Sequence, residues 1–304
     1  MQWIQDPVSE PGCILVLGMF DGVHRGHQAL LMRGLELREE LHARVAVCTF
    51  EPHPLCVFAP ERAPKRLSTP EERRQLMESM DVDILCIHTF TKKLAETSPS
   101  DFLEYLTAIY QPVALICGYN FTFGHRGQGN GETLRTFCKA RGIRCDIIDE
   151  VRIAGAAVSS SRIREELCHG DIRMVNRLLG HAYTLEGPVI HGQGIGRTLG
   201  CPTANIQVTE DKALPRFGAY VATLEHAGKI WKAMVNIGSH PTLPGNGLRI
   251  EAHVLNASLD LYDQHVVVSL MDFMRPEKQF ESLDALKAQL EQDKQNALAW
   301  FASR

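Results

Sequence analysis

The sequence is 304 residues long, which is enough for two domains of ordinary size. A hydrophobic content of 44% is typical of a globular protein with buried cores, and a net charge of −4 argues against a nucleic-acid-binding protein. The charge is evenly spread, because residues 1–182 and 183–304 each carry two more acidic than basic side chains. We therefore expect no nucleic-acid partner, although a local basic patch stays possible.

The nine cysteines form no Cys-x-x-Cys motif, and several lie in apolar runs, such as Cys48, Cys86 and Cys117. This pattern predicts reduced, buried thiols in a cytoplasmic protein. The first residues do not resemble a signal peptide, and no apolar run approaches the ~18 residues of a membrane-spanning helix. We expect no association with a membrane, and the sequence leaves the oligomeric state open.

The first 182 residues alternate between buried strands and amphipathic helices. Continuous apolar runs predict strands at residues 13–17, 45–50, 82–88 and 113–117. Helical periodicity predicts a helix over residues 28–42, a second after the cap Thr69, and a third over 100–109 with Ser100 as cap. This alternation indicates an α/β domain with a parallel, Rossmann-like sheet.

Residues 183–304 have a different pattern, in which short alternating segments are separated by Gly, Pro, Asn and Asp. Strands are expected at 183–191, 218–225, 229–235, 249–255 and 265–273, and together they indicate a compact β-barrel. A terminal helix is predicted to start at the cap Ser282. Its expected apolar face consists of Leu283, Leu286, Leu290, Ala297 and Phe301.

A first phosphate-binding motif follows the first predicted strand and reads Gly18-Met-Phe20-Asp21-Gly22-Val-His24-Arg-Gly26-His27. Ligands collect at the carboxyl ends of parallel strands, and a helix that starts there directs its N–H groups at a phosphate. His24 and His27 are spaced to face one phosphate and to stabilise charge that develops on it. The alternatives are a glycine-rich turn with incidental histidines or, with less support, a metal site.

This motif resembles the His-x-Gly-His box of the nucleotidyltransferases, whose members attack the α-phosphate of ATP. Class I aminoacyl-tRNA synthetases share the box, but a Lys-Met-Ser-Lys-Ser-like segment is missing from this sequence. Three further segments resemble the FMN adenylyltransferase half of bacterial bifunctional riboflavin kinase/FAD synthetases: Phe50-Glu-Pro-His-Pro54, Gly118-Tyr-Asn120-Phe-Thr-Phe-Gly124 and Val158-Ser159-Ser160-Ser-Arg162-Ile-Arg164.

The resemblance implies nucleotide-binding roles for several of these residues. Ser159 and Ser160 would supply donors at a helix N-terminus, and Arg162 or Arg164 would add charge for the triphosphate. Asn120 would contact a base or ribose, at a position where many relatives have Asp. The serine run is otherwise an ordinary helix cap.

A second motif reads Gly194-Ile-Gly196-Arg197-Thr-Leu-Gly-Cys-Pro202-Thr203-Ala-Asn205. Its glycines suit a loop that covers phosphates, but many β-hairpins are equally rich in glycine. Thr203 and Asn205 are two residues apart, so on a strand they would point to one face. A hydroxyl and an amide oxygen suit Mg²⁺ that bridges the phosphates of ATP.

The second motif resembles the riboflavin kinase loop and its Pro-Thr-Ala-Asn box, and further segments follow in family order up to the last helix. The resemblance implies a six-stranded barrel, Glu251 as the catalytic base towards a ribityl hydroxyl, and Arg197 as a charge partner of the phosphates. Without the resemblance, Glu251 would be interpreted as a solvated strand residue. Asp263 stands where the family usually has Gly.

The sequence therefore predicts a bifunctional enzyme with an adenylyltransferase domain over 1–182 and a riboflavin kinase domain over 183–304. Riboflavin, FMN and ATP would be its substrates and Mg²⁺ its divalent cation. One alternative is a single-activity riboflavin kinase whose N-terminal half has decayed, in view of Asn120 and Asp263. The other is a non-catalytic flavin- or RNA-binding regulator.

Overall fold

The computed structural model describes residues 1–6, 9–191, 201–239, 248–257 and 259–304. The chain divides into two compact units, Met1–Ser160 and Ser161–Arg304. The domain boundary predicted from the sequence, between residues 182 and 183, lies later in the chain than the boundary between these two units. The second unit starts earlier because it also includes two helices that precede the barrel. Among the described residues, no helix combines the length and the apolar character needed to cross a bilayer.

The first unit contains a parallel sheet of six strands in the order β1-β4-β3-β2-β5-β6. The strands are β1 (Gln2–Gln5), β2 (Ile14–Leu17), β3 (Val45–Glu51), β4 (Ile84–Thr89), β5 (Ala114–Gly118) and β6 (Arg144–Ile148). A short antiparallel pair follows, β7 (Arg152–Ile153) and β8 (Ala156–Ala157). The predicted Rossmann-like α/β fold is therefore confirmed. Strands β1 and β6, which the sequence did not predict, are the two edges of the sheet.

Both faces of this sheet are buried, because successive strand residues enter two separate cores. Leu15, Leu17 and Cys48 belong to one core, and Ile14, Val16 and Val47 belong to the other. This two-sided burial explains why the central strands are continuous apolar runs. The predicted burial of Cys48, Cys86 and Cys117 is confirmed, and all three are free thiols.

The helices that cover the sheet are α1 (Arg25–Leu41), α2 (Pro54–Phe58), α3 (Pro70–Ser79), α4 (Lys92–Ala95), α5 (Pro99–Tyr110) and α6 (Gly131–Arg141). Thr69 caps α3 as predicted and forms a capping box with Glu72. The cap predicted for α5 was wrong: Ser98, not Ser100, accepts the N–H of Asp101, because Pro99 occupies the first helical position. Helix α1 begins three residues before the predicted Gln28.

The second unit begins at the second residue of α7 (Ser160–His169) and contains α8 (Ile172–Leu179), followed by a closed barrel in the order β10-β13-β12-β11-β14-β9. The strands are β9 (Tyr183–Ile190), β10 (Ala204–Ile206), β11 (Gly218–His226), β12 (Lys229–Ser239), β13 (Leu248–Val254) and β14 (His265–Pro276). The six-stranded barrel is confirmed, and its neighbouring strands are antiparallel.

The terminal helix α9 (Leu283–Ala302) packs on the barrel through Leu290, Ala297 and Phe301, which join a cluster with Met234 of β12. Ser282 caps it, as predicted. The prediction for Leu283 was wrong, since its side chain is 64% exposed in the first turn.

Candidate active sites

The first candidate site lies at the carboxyl ends of β2 and β5, which are neighbours in the sheet. Strand β3 lies on one side of β2 and β5 lies on the other, so the strand order reverses here. The carboxyl ends of β2 and β5 therefore form the topological switch point at which ligands bind in such sheets. A cavity of about 810 Å³ opens there. Of the predicted site residues, the cavity is lined by Gly18, His24, His27, Asn120, Ser159 and Ser160.

The loop between β2 and α1 is held in an unusual backbone conformation. Phe20, Gly22 and Val23 have φ angles of 52°, 78° and 39°, which only glycine adopts without strain. Asp21 stabilises this loop, because its Oδ1 accepts the backbone N–H groups of Leu67 and Ser68 at 2.9 and 3.1 Å. Strained backbone of this kind is concentrated at functional sites, where the surroundings hold it in place.

Phe20, Asp21 and Gly22, which the sequence placed in the nucleotide site, are not among the residues that line the cavity. Phe20 is fully buried, and its ring lies 5.0 Å from that of His27. The backbone N–H of Gly22 donates to Ser68 Oγ at 2.9 Å. The three residues therefore shape the loop from behind the cavity.

His24 and His27 are brought together by the start of α1. His24 caps the helix, and its Nδ1 accepts the N–H of His27 at 3.3 Å, so its proton is on Nε2. The two rings stack with centroids 3.7 Å apart. A Cβ at Gly26 would lie 3.1 Å from His24 Cε1, so glycine leaves room for this ring.

The imidazole of His27 is held neutral by its surroundings. Burial lowers its pKa well below the usual 6.5, and the nearby His24 and Arg73 lower the pKa further. Its Nδ1 is buried and has no hydrogen-bond partner within the described parts of the chain. A buried polar atom without a partner is costly, so a ligand that reaches it would be favoured.

The serine run lies beside the loop that carries these histidines. Ser160 is the first residue of α7, and its Oγ donates to the carbonyl oxygen of Asp21 at 3.0 Å. Ser159 lines the cavity beside it. Arg162 and Arg164 belong to the second unit, where Arg162 Nε lies 3.8 Å from Glu166 Oε1. The N-terminus of α1 thus borders the same cavity as Ser159 and Ser160 and favours an anion there.

The sequence did not single out the aromatic wall of this cavity. The wall consists of Phe50, Phe58, Phe90, Phe102, Tyr119, Phe121 and Phe123. These residues come from four separate segments, so no single motif displays them. One part of the cavity is therefore apolar and suited to a flat ring system, and the other carries the phosphate-binding features.

The second candidate site is built on neighbouring barrel strands. Thr203 and Asn205 are half-exposed and alternate with the buried residues Ala204 and Ile206, so their side chains share a face, as predicted. Glu251 on β13 lies directly opposite Asn205. The register therefore places the carboxylate beside the hydroxyl and amide pair.

Glu251 has a further polar neighbour that the sequence did not identify. Asn236 on β12 is opposite Glu251 on its other side, so the carboxylate lies between two asparagines. Arg249 Nη1 lies 3.5 Å from Glu251 Oε1. Asn236 could be found only from the strand register, which the sequence does not display.

Three predicted residues of the second site, Gly194, Gly196 and Arg197, lie outside the described residues. Asp263, which replaces the usual family glycine, has a φ of 60° and donates its N–H to the carbonyl oxygen of Val189 at 3.0 Å. Aspartate tolerates this left-handed conformation better than most residues, so the turn forms without glycine.

Comparisons with known proteins assign each part of the chain to a family. The family model described as FAD synthetase matches residues 6–162, and the riboflavin kinase model matches residues 179–301. A crystal structure described as a macrolide-efflux protein from Streptococcus pneumoniae has a TM-score of 0.91 and 27% identity, and the match covers 99% of this chain and 100% of that one. That likeness extends over the whole chain.

Curated relatives match along nearly their full length. The bifunctional riboflavin kinase/FMN adenylyltransferase of Listeria monocytogenes is 35% identical, over 95% of this chain and 92% of that protein. The proteins of the same description from Escherichia coli K12 and Bacillus subtilis are 34% and 31% identical, over 96% and 95% of this chain and 94% and 93% of theirs. The chain therefore belongs to the bifunctional riboflavin kinase/FMN adenylyltransferase family.

Proposed function

We propose that each unit of the chain carries one of the two activities of this family. The chain phosphorylates riboflavin to FMN and adenylylates FMN to FAD with release of pyrophosphate, and ATP is the co-substrate of both steps. One observation supports the assignment of one activity to each unit. Glu251 is paired with Asn205 in the barrel, whereas the stacked histidines belong to the first unit. The alternatives of a decayed half and of a non-catalytic regulator are not supported, because both family models match.

In the adenylyl transfer, a phosphate oxygen of FMN attacks the α-phosphorus of ATP and pyrophosphate leaves. Negative charge grows on the oxygens of the α-phosphate in the transition state, and imidazole N–H donors stabilise it. His24 carries its proton on Nε2, and His27 is neutral, so each ring has one donor. The N-terminus of α1 favours the phosphates, and Ser159 and Ser160 line the same cavity.

The flavin of FMN fits the aromatic wall of the same cavity. Phe58 and Tyr119 are 54% and 47% exposed and can stack on a flat ring without displacing the core. Asn120 at the end of β5 lines the cavity and offers an amide to the base or ribose of ATP.

In the kinase step, Glu251 accepts the proton of the ribityl hydroxyl while that oxygen attacks the γ-phosphorus of ATP. The strand register places this half-buried carboxylate between Asn205 and Asn236, and a general base must be held at such a defined position. Arg197, with Gly194 and Gly196 of the same loop motif, would contact the phosphates.

Mg²⁺ is the divalent cation that fits this donor set. The Thr203 hydroxyl and the Asn205 amide oxygen lie on one face of the chain and would hold the cation as hard oxygen ligands. When bound, Mg²⁺ neutralises charge on the phosphates of ATP. Pro202, which precedes Thr203, holds the backbone extended at the start of this segment.

The proposed substrates, riboflavin, FMN and ATP, are all small molecules. Nine free thiols are typical of a reducing compartment, which supports a cytoplasmic location.

The purified chain, incubated with riboflavin, ATP and Mg²⁺, tests this function by chromatography of the flavins. FAD as the final product, with FMN as the transient, is the expected result. FMN alone would point to an inactive first unit, and unchanged riboflavin would contradict the proposal.

A further inference from the structure

His253 links two strands of the kinase site through an unusual contact. Its ring is 7% exposed, and Nδ1 lies 2.8 Å from the carbonyl oxygen of Pro202. Because a carbonyl oxygen only accepts, Nδ1 carries the proton and donates. A side chain on β13 thus bonds to the backbone of the segment that leads into β10.

This bond lies where the strand ladder ends. The recorded register between β10 and β13 consists of Ala204 opposite Ala252 and Asn205 opposite Glu251. Pro202 has no N–H and cannot donate to a ladder. Thr203 therefore lies between two fixed points of the chain. Pro202 before it is bonded to His253, and Ala204 after it is paired with β13.

The ring of His253 is itself well fixed. His253 lies two residues after Glu251 and hence on the same face of β13, and it is directly opposite the buried Met234 of β12. A movement of the ring would shift Pro202 relative to Glu251. The contact therefore couples the position of the Thr203 hydroxyl to the strand that carries the carboxylate.

We propose that His253 is a positioning residue for the kinase step. Through the carbonyl of Pro202 it fixes Thr203 at the distance from Asn205 and Glu251 that a bound divalent cation and an attacking hydroxyl require. In this proposal His253 acts through the carbonyl of Pro202 and is not itself a ligand of the cation. The inference rests on the proposed function, in which Thr203 and Asn205 hold Mg²⁺.

Two substitutions separate hydrogen bonding from packing. His253→Asn keeps an N–H donor close to the position of Nδ1, whereas His253→Gln moves the donor towards the position of Nε2. The half-saturating Mg²⁺ concentration for FMN formation is measured in both variants. We expect His253→Gln to raise the half-saturating Mg²⁺ concentration about 10-fold or more, which is the usual effect of losing a residue that orients a metal ligand. His253→Asn should leave this concentration near the original value.

Two controls belong to this experiment. Adenylylation of supplied FMN by the same preparations should be unchanged. Thr203→Ala tests the underlying metal assignment: if it leaves the Mg²⁺ requirement unchanged, the proposed metal site is wrong. If Thr203→Ala raises the requirement and His253→Gln does not, only the role of His253 is refuted.

A measurement on the unaltered protein needs no variant and no activity. Nitrogen NMR of the His253 ring should show a proton on Nδ1, and a neutral ring protonated only at Nε2 would overturn the proposal. Equal effects of His253→Asn and His253→Gln on the Mg²⁺ requirement would also overturn it, as would a lower yield of folded protein with an unchanged requirement.

Discussion

The two candidate sites are assembled in different ways. In the first unit, residues that follow different strands meet at the carboxyl ends of a parallel sheet, as Gly18 after β2 and Asn120 after β5 do. In the barrel, Thr203, Asn205 and Glu251 meet because they share a face and a register on neighbouring strands. The first site depends on loop conformation, and the second depends on strand pairing.

This difference determines what supports each site. The histidine loop has three residues at positive φ and needs Asp21 and Ser160 to hold it. The carboxylate of the barrel is placed by backbone hydrogen bonds on both sides of β13. Substitutions of scaffold residues should therefore affect the first site more than the second.

The largest expected effect is on the kinase step. Glu251→Gln removes the proton acceptor and should lower FMN formation by about 10²- to 10⁴-fold, the usual contribution of a general base. Adenylylation of supplied FMN should stay unchanged. Glu225→Gln is the matched control, since Glu225 is an exposed residue of β11. An unchanged kinase rate in Glu251→Gln would refute the assignment of the base.

The second prediction concerns adenylylation at the first candidate site. His27→Ala should lower FAD formation from FMN by about 10²- to 10³-fold, because a donor to the developing charge is lost. FMN formation from riboflavin should be retained, and Met32→Ala, at an exposed position of the same helix, is the control. Loss of both activities in His27→Ala would show that the sites are not independent.

A smaller effect is expected at Asp21. It distinguishes a residue that only supports the loop from one that contacts the nucleotide. If its oxygen serves only to accept two backbone N–H groups, Asp21→Asn should retain adenylylation, and Asp21→Ala should lose about 10-fold, as expected for a broken buried hydrogen bond. Initial rates with FMN and ATP provide the test. Equal losses in both variants would instead show that the carboxylate charge is needed at the nucleotide.

The last prediction concerns the stability of the first unit and its dependence on pH, not a reaction rate. Burial lowers the pKa of His88 to about 4, although the nearby Asp6 raises the pKa slightly. The two ring nitrogens of His88 lie 3.1 and 2.6 Å from the hydroxyls of Tyr105 and Tyr110. In the unfolded chain this imidazole binds a proton near pH 6.5, whereas in the folded unit it does not. Stability should therefore fall by about 3 kcal/mol as the pH drops from about 6.5 to about 4.

Hydrogen exchange of the β4 amides in urea measures this pH dependence in the first unit alone. The dependence should be weaker in His88→Gln and unchanged in His42→Asn, at an exposed position of the same unit. The same pH dependence in all three proteins would contradict the burial of a neutral His88.

Much of this architecture follows from the sequence, and what was missed has physical reasons. The central strands are buried on both faces and so appear as apolar runs, but the edge strand β1 has one buried residue, Ile4, and shows no such run. Strand β6 is half-buried throughout. The cap of α5 could have been predicted from Pro99, which marks the first helical position.

For the candidate sites, the sequence identified the histidines, the serines and the Thr203/Asn205 pair, but not the residues that support them. Asp21 has the residue type of a ligand, yet its Oδ1 accepts backbone N–H groups from a segment more than forty positions away. Asn236 is placed beside Glu251 only by strand pairing. Such partners depend on the tertiary fold, which local sequence patterns do not encode.

The central claim is that one chain directs the ribityl hydroxyl of riboflavin at the γ-phosphorus of one ATP in the barrel and the phosphate of FMN at the α-phosphorus of another ATP at the first site. Incubation with riboflavin and ATP that is radiolabelled at either the γ- or the α-phosphorus tests it directly. FAD should carry the γ label in the phosphate of its FMN half and the α label in its AMP half. FAD without the γ label in its FMN half, or no FAD at all, would contradict the account.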